Sequence, residues 1–144
     1  APSASIDYSD KSNDQTYLMS NVVLQHPQLN RQAWRSLEEK VRDWTKSKGR
    51  LYVVTGPIFD EKPEKINGIP IPSHFYKVIY AFKHTQAIGF VFPNEAVKAK
   101  NLWDYSMSVD AVEQVTGLQF LMGLWRLKRR CKKRVDFDWW QKEA

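Results

Sequence analysis

Cysteine occurs once in these 144 residues, at position 131. A lone thiol excludes an intramolecular disulfide and a thiolate zinc site, and it reports nothing of an oxidising compartment. No apolar run approaches the roughly 18 residues that span a bilayer, so no membrane partner is expected. No stretch reads as a signal peptide. There is no internal repeat, and no long linker divides the chain. What is present suffices for one packed domain or part of one, with 42% of residues hydrophobic and 13% aromatic.

The charge balance points to a partner. The chain carries 22 Lys and Arg against 16 Asp and Glu, a formal net charge of +6. An isoelectric point near 9.4 fits a polyanion bound through its phosphates. The charge is uneven. Seven Lys or Arg crowd between Arg126 and Arg134 with no acid among them, which exceeds the whole net charge. That run reads either as phosphate-backbone contact independent of base sequence or as a solvated tail.

Residues 1–15 are polar and read as loop. Residues 16–23 alternate like a strand. Residues 25–29, with Pro27, read as loop. Asn30 is a candidate N-cap, and the helix it opens runs to about Lys48, where Gly49 stops it. Ala33, Trp34, Leu37, Val41 and Trp44 form its apolar stripe. A short strand over 50–54 ends at Gly56-Pro57, and Asn67-Gly68 marks a hairpin turn. Strands follow at 75–82 and 87–92, then mostly loop over 94–106. Ser108 caps a helix over 109–116 that Gly117 closes. A helix reading extends over 118–134, and residues 135–144 read as a Trp-rich tail. The pattern predicts an α+β fold, a mixed or antiparallel sheet with one long helix packed on it.

The segment 17–42, YLMSNVVLQHPQLNRQAWRSLEEKVR, concentrates side chains suited to one chemistry. Asn21, Gln25 and Asn30 offer neutral amides. Trp34, Glu38 and Arg42 follow Asn30 at four-residue steps. Mg²⁺ takes oxygen ligands and keeps several waters, so one amide oxygen plus phosphate oxygens can hold it. Each four-residue step advances about 6 Å along a helix and drifts about 40° around it. Asn30 and Glu38 are then about 12 Å apart axially, too far for both to ligate one ion unless Asn30 precedes the helix. Plainer alternatives stand beside these roles. Asn30 is also a good N-cap. Glu38 and Arg42 also suit a solvated pair worth a few tenths of a kcal/mol. Asn21 and Gln25 can serve only the loop backbone. Trp34 reads as core rather than a stacking platform.

These residues resemble the DNA/RNA non-specific endonucleases of the ββα-metal type, the family of secreted bacterial nucleases and mitochondrial endonuclease G. Ser20, Asn21, Gln25, Asn30, Trp34, Leu37, Glu38 and Arg42 match the family's metal-site pattern in order and spacing. Leu24 departs from it, where the family usually has Pro. VVTGPIF, IPIPSHFYKVIY, FVFPN and VDAVEQVTGLQF carry the resemblance over most of the chain. It implies a ββα-metal fold and hydrolysis of DNA and RNA with little sequence preference, leaving 5′-phosphate ends. It implies Asn30 as the direct ligand of Mg²⁺, or of Mn²⁺ in its place. Glu38 would act through metal-bound water, Arg42 would stabilise phosphate charge, and Asn21 would line the catalytic site. Gln25 and His26 would support the ligand or the substrate.

The family's catalytic base is the His of a D-R-G-H motif, which this sequence lacks. His26, His74 and His84 do not occupy its position. The opening Ala1-Pro2-Ser3-Ala4 resembles the Ala-Pro segment that follows the motif. The expectation is that residues 1–144 are the C-terminal portion of one endonuclease domain, with a basic segment at 124–144. An N-terminal complementary chain or segment would carry the His, and the chain alone would be inactive or nearly so. A homodimer is compatible with the resemblance. Location would be extracellular or periplasmic in a bacterium and mitochondrial in a eukaryote. The competing class is a catalytically inactive module on the same scaffold that binds nucleic acid or an inhibitor. A third is an inactive precursor cut between its halves.

Overall fold

A computed structural model of the chain describes residues 6–9, 16–20, 23–120 and 132–141, with side chains from residue 24 onward. Three short strands, β1 (Ile6–Ser9), β2 (Thr16–Ser20) and β3 (Val23–Gln25), form an antiparallel sheet in that order. The single strand expected over 16–23 is thus two, with Ser20 paired to Val23. No Gly or Pro marks that reversal, so alternation alone ran through it.

β3 leads directly into the long helix. It comprises α1 (Pro27–Leu29), a π-helical turn (Asn30–Trp34) and α2 (Arg35–Lys48). Most of the loop expected over 25–29 is therefore helical, and the N-cap is His26 rather than Asn30. His26 has an extended backbone, and its Nδ1 accepts a hydrogen bond from the Gln28 N–H at 3.1 Å. Pro27 fills the first helical position, where a missing N–H has no consequence. Asn30 already has helical angles, and its N–H donates to the His26 carbonyl at 3.1 Å. Gly49, at φ 85°, ends the helix as expected.

The second sheet has the order β4-β7-β8-β9, antiparallel throughout. β4 (Leu51–Ile58) runs through Gly56 and Pro57 instead of stopping at them. It is an edge strand, where a proline's missing donor leaves no central ladder bond unmade. β5 (Lys65–Ile66) and β6 (Ile69–Pro70) form the expected hairpin, with Asn67 and Gly68 both at positive φ. β7 (His74–Ala81) and β8 (Gln86–Pro93) pair along their whole length, and β9 (Ser106–Met107) closes the sheet. A 3₁₀ helix (Ala99–Tyr105) occupies much of the loop expected after Asn94. α3 (Val109–Thr116) has its Ser108 cap and its Gly117 stop.

Successive β7 residues point to opposite faces. Phe75, Ile79 and Ala81 pack with Leu29, Ala33, Trp34, Leu37 and Trp44 of the long helix. Tyr76, Val78 and Tyr80 pack with Val109 and Val112 of α3. Helices thus cover both faces, and β7 reads as a nearly continuous apolar run. Gly89 lies under α3, where a Cβ would collide with Val112.

The expected Trp-rich tail is part of the core. Phe137–Gln141 is a short helix, and Trp140 is 1% exposed. Trp44 Nε1 donates to the Trp140 carbonyl, and Lys48 Nζ to the Trp139 carbonyl, both at 3.0 Å. Of the helix expected over 118–134, residues 118–120 are not helical and 121–131 lie outside the described residues. Among the described residues, no helix is long and apolar enough to cross a membrane.

Candidate metal and phosphate site

The long helix brings Asn30, Trp34 and Glu38 to one row, and its irregular turn has a visible cause. The Ala33 N–H leaves the helical ladder and donates to the Val97 carbonyl at 3.1 Å. A π turn takes about one residue more per turn than an α turn, so it rotates less per residue. It offsets the drift of about 40° that each four-residue α step accumulates. Asn30 therefore stays closer to the Glu38 row than a regular helix would allow.

Asn94 braces this geometry from the end of β8. Its Oδ1 accepts the His26 N–H at 2.6 Å, and its Nδ2 donates to the carbonyls of Leu24 at 3.0 Å and Pro72 at 2.9 Å. One amide thus ties β3 and the start of the helix to the central sheet. It completes a chain from Asn94 through His26 to the backbone of Asn30.

The Asn30 side chain is oriented by Gln25. Gln25 is fully enclosed, and its Oε1 accepts from Asn30 Nδ2 at 2.8 Å. Asn30 is 6% exposed. With Nδ2 engaged as a donor, its carbonyl Oδ1 is not used in this bond, and it is a hard neutral donor of the kind a Mg²⁺-class ion accepts. The described residues contain no cluster of three or more His, Cys, Asp or Glu. An ion here would rest on the amide oxygen, on waters and on substrate oxygens, a donor set that the amide orientation fits.

Glu38 is half-buried on α2, and Arg42 is exposed one turn further. They form no ion pair with each other among the described residues. The four-apart pair of this helix is instead Arg35 with Glu39, at 3.5 Å and exposed. The two side chains are thus not locked to each other, and the exposed Arg42 guanidinium carries the charge sign that a phosphate accepts. Asn21 lies outside the described residues. His26 has its Nδ1 in the cap, and its partial burial pushes the ring pKa below the usual histidine range, against the pull of Glu95. His74 Nδ1 lies 2.9 Å from Ser73 Oγ, and the His84 ring packs on Trp139. Trp34 is core, edge-on to Phe75 and Phe92.

Sequence reasoning missed two residues. Asn94 carried a signal, because it follows Pro93 at the end of an apolar strand. Lys77 carried a stronger one, a lone cation inside HFYKVIYA. It is 4% exposed, with Nζ 4.7 Å from the centre of the Trp34 ring. Burial pushes its pKa down from the usual lysine range, and the Glu38 charge pulls it back up. A cavity of about 510 Å³ lies at the opposite end of the sheet, beside Thr85, Gln86 and residues 134–138, and no site residue lines it.

Fold and site together define a class, and comparison with known proteins agrees. The chain belongs to the DNA/RNA non-specific endonuclease family, whose profile matches residues 1–126. It is 32% identical over 137 residues to human mitochondrial endonuclease G, covering 84% of this chain and 46% of that protein. It is 30% identical over 159 residues to the mitochondrial nuclease of Saccharomyces cerevisiae, covering 92% and 48%. A nuclease of Nostoc sp. matches at 30% over 133 residues, covering 84% and 48%. The chain spans about half the length of the curated relatives it matches.

Proposed function

We propose that this chain supplies the metal- and phosphate-facing part of a site that hydrolyses phosphodiester bonds of DNA and RNA without sequence preference. The observation that carries this reading is the Gln25–Asn30 hydrogen bond, in which Asn30 donates from its amide nitrogen and its oxygen is not the acceptor. Asn30 would be the direct ligand of a divalent ion, Mg²⁺ by preference for oxygen and Mn²⁺ in its place. The chemistry supplied with an ion held there would be polarisation of the phosphate and stabilisation of charge on the leaving 3′-oxygen. Glu38 would help hold such an ion indirectly, by accepting hydrogen bonds from its hydration shell. Arg42 offers its guanidinium to phosphate oxygens as charge develops on them. Gln25 orients Asn30, and His26 fixes the entry to the helix. Asn21 would add a further neutral amide to catalysis. Contacts confined to phosphates carry no base information, which accounts for low selectivity.

The proton acceptor for the attacking water is a D-R-G-H histidine on a segment N-terminal to Ala1. The engagement of His26, His74 and His84 elsewhere supports this. Names of the relatives suggest a mitochondrial or a bacterial setting.

Plasmid nicking with Mg²⁺ or Mn²⁺ tests the reading, on the chain with and without the complementary segment. Absence of a general base typically lowers rate by about 10²–10⁴-fold, so the chain alone is expected to be near background. The complemented protein is expected to nick, and Asn30→Ala to abolish nicking and Mn²⁺ binding together. A complemented protein that binds DNA without cutting it would make this a binding module on the nuclease scaffold.

A further inference from the structure

The C-terminal segment is a strap held at two points on opposite faces of the sheet. The first hold is on the α3 face. Glu113 Oε2, on α3, accepts from Lys132 Nζ at 2.7 Å and from the Phe120 N–H at 2.7 Å. Lys132 Nζ also donates to the Phe120 carbonyl at 2.9 Å, and Phe120 packs in the Tyr76 cluster of that face. The Lys132 and Glu113 side chains are 18% and 17% exposed, so salt screens this pair less than a surface one. The second hold is on the other face, where Lys48 and Trp44 of the long helix donate to the Trp139 and Trp140 carbonyls. Between the holds, residues 134–138 pass beside Thr85 and Gln86 at the β7–β8 turn.

Two cations of the basic run stand directly after the first hold. Lys133 and Arg134 are exposed, and neither forms an ion pair among the described residues. The acids of the strap come later, where Asp136 accepts the Trp139 N–H at 3.1 Å and Asp138 follows. A solvated tail leaves all its cations free in water, and they lose that freedom on binding. Here one lysine fixes the backbone instead, and the next two project from a fixed frame. Cations held in this way meet a row of phosphates at a lower ordering cost.

We propose that Lys133 and Arg134 form a phosphate-backbone contact for nucleic acid outside the catalytic site, set in register by the Glu113–Lys132 clasp. Nucleic acid is the occupant that charge favours, because seven Lys or Arg lie between Arg126 and Arg134 with no acid among them. Contacts of this kind position a strand without reading its bases. Both cations lie beyond residue 126, where the family profile ends. The contact requires a nucleic-acid partner but no ion on Asn30.

The test is fluorescence anisotropy of a labelled DNA duplex on the full chain over a range of salt, with EDTA present so that no cleavage occurs. Wild type is compared with Lys133→Ala/Arg134→Ala and with Glu113→Gln, and Tm is recorded for each. A phosphate contact contributes about 0.9 to the slope of log affinity against log salt, so the double variant is expected to lose about 2 from it. Glu113→Gln makes the chain more positive, and charge alone would tighten binding. The clasp predicts the reverse, a several-fold weaker affinity, because Lys132 loses its partner and the two cations lose their frame. Should that variant melt early, Glu113→Asp takes its place, since it keeps the charge while withdrawing the carboxylate, and it too is expected to bind more weakly. An unchanged slope in the double variant would overturn the proposal, as would tighter or unchanged binding by the clasp variant. Phosphatidylserine vesicles that lose affinity for the double variant while its DNA slope stays at the wild-type value would assign the cations to an anionic membrane instead. A wild type that binds no Mn²⁺ yet shows the expected shifts would remove the metal reading and leave this contact standing.

Discussion

Single side chains order this region through hydrogen bonds that fix which amide atom is engaged. Gln25 and Asn30 are the clearest pair, since one amide turns the other. His26 adds a pH-dependent element. Its Nδ1 accepts the Gln28 N–H, which requires an unprotonated nitrogen. Its folded pKa lies below the ordinary value because of burial. In the unfolded chain the ring takes its proton near pH 6.5. Between that pH and the lower folded pKa, the unfolded state binds more protons, so stability falls as the solution is acidified through this window. Thermal melts across the window are expected to show a falling Tm for the wild type. The slope is expected to flatten in His26→Asn, because asparagine caps without titrating. An unchanged slope in that variant would place the acid sensitivity elsewhere.

At the scale of elements, the long helix is positioned from outside itself. Asn94 on one side and the Val97 carbonyl on the other hold its first two turns. Replacing Asn94 by Ala would leave the His26 N–H and the carbonyls of Leu24 and Pro72 without this partner. Buried groups left unpaired cost about 1–3 kcal/mol each, less where water reaches them. Asn94→Ala is therefore expected to lower stability by about 2–4 kcal/mol. Amide exchange should quicken at Asn30 and Ala33 while β7 stays protected. Uniform loss of protection would mean that Asn94 supports the whole sheet and not the helix start. Much of this architecture was legible in advance. The α3 caps, the Asn67-Gly68 turn and the stop at Gly49 follow from local backbone preferences that hold in any context. The π turn was not legible, because its cause is a carbonyl more than sixty residues away. The same holds for β2 and β3, which a reversal without Gly or Pro merged into one reading.

Across the whole molecule, the C-terminal segment forms part of the main core. The family profile ends at residue 126, yet Trp140 lies against Trp44, ring centres 4.8 Å apart, in the same cluster as Trp34 and Phe75. Lys132, from the basic run, is anchored as well, with Nζ 2.7 Å from Glu113 Oε2 and bonded to the Phe120 carbonyl. That anchor argues against a fully solvated tail for this end of the run. Truncating a buried aromatic typically costs about 3–5 kcal/mol, so Trp140→Ala is expected to bring the chain near its unfolding threshold. Denaturant melts that place the variant within about 1 kcal/mol of wild type would show the segment to be an accessory rather than part of the core.

The order of amides, carboxylate and guanidinium over residues 21–42 is a property of the sequence alone, because four-residue spacing fixes neighbours on a helix whatever surrounds it. So are the capped α3, the tight hairpin and the sheet's apolar strands. Only the tertiary structure decided that Asn30 lies within the helix and not at its cap. It also decided that Gln25 turns the amide, that Lys77 lies buried beside Trp34, and that the last tryptophans belong to the core. Each of these depends on partners brought together from distant parts of the chain, and a local pattern carries no record of which distant atom will arrive.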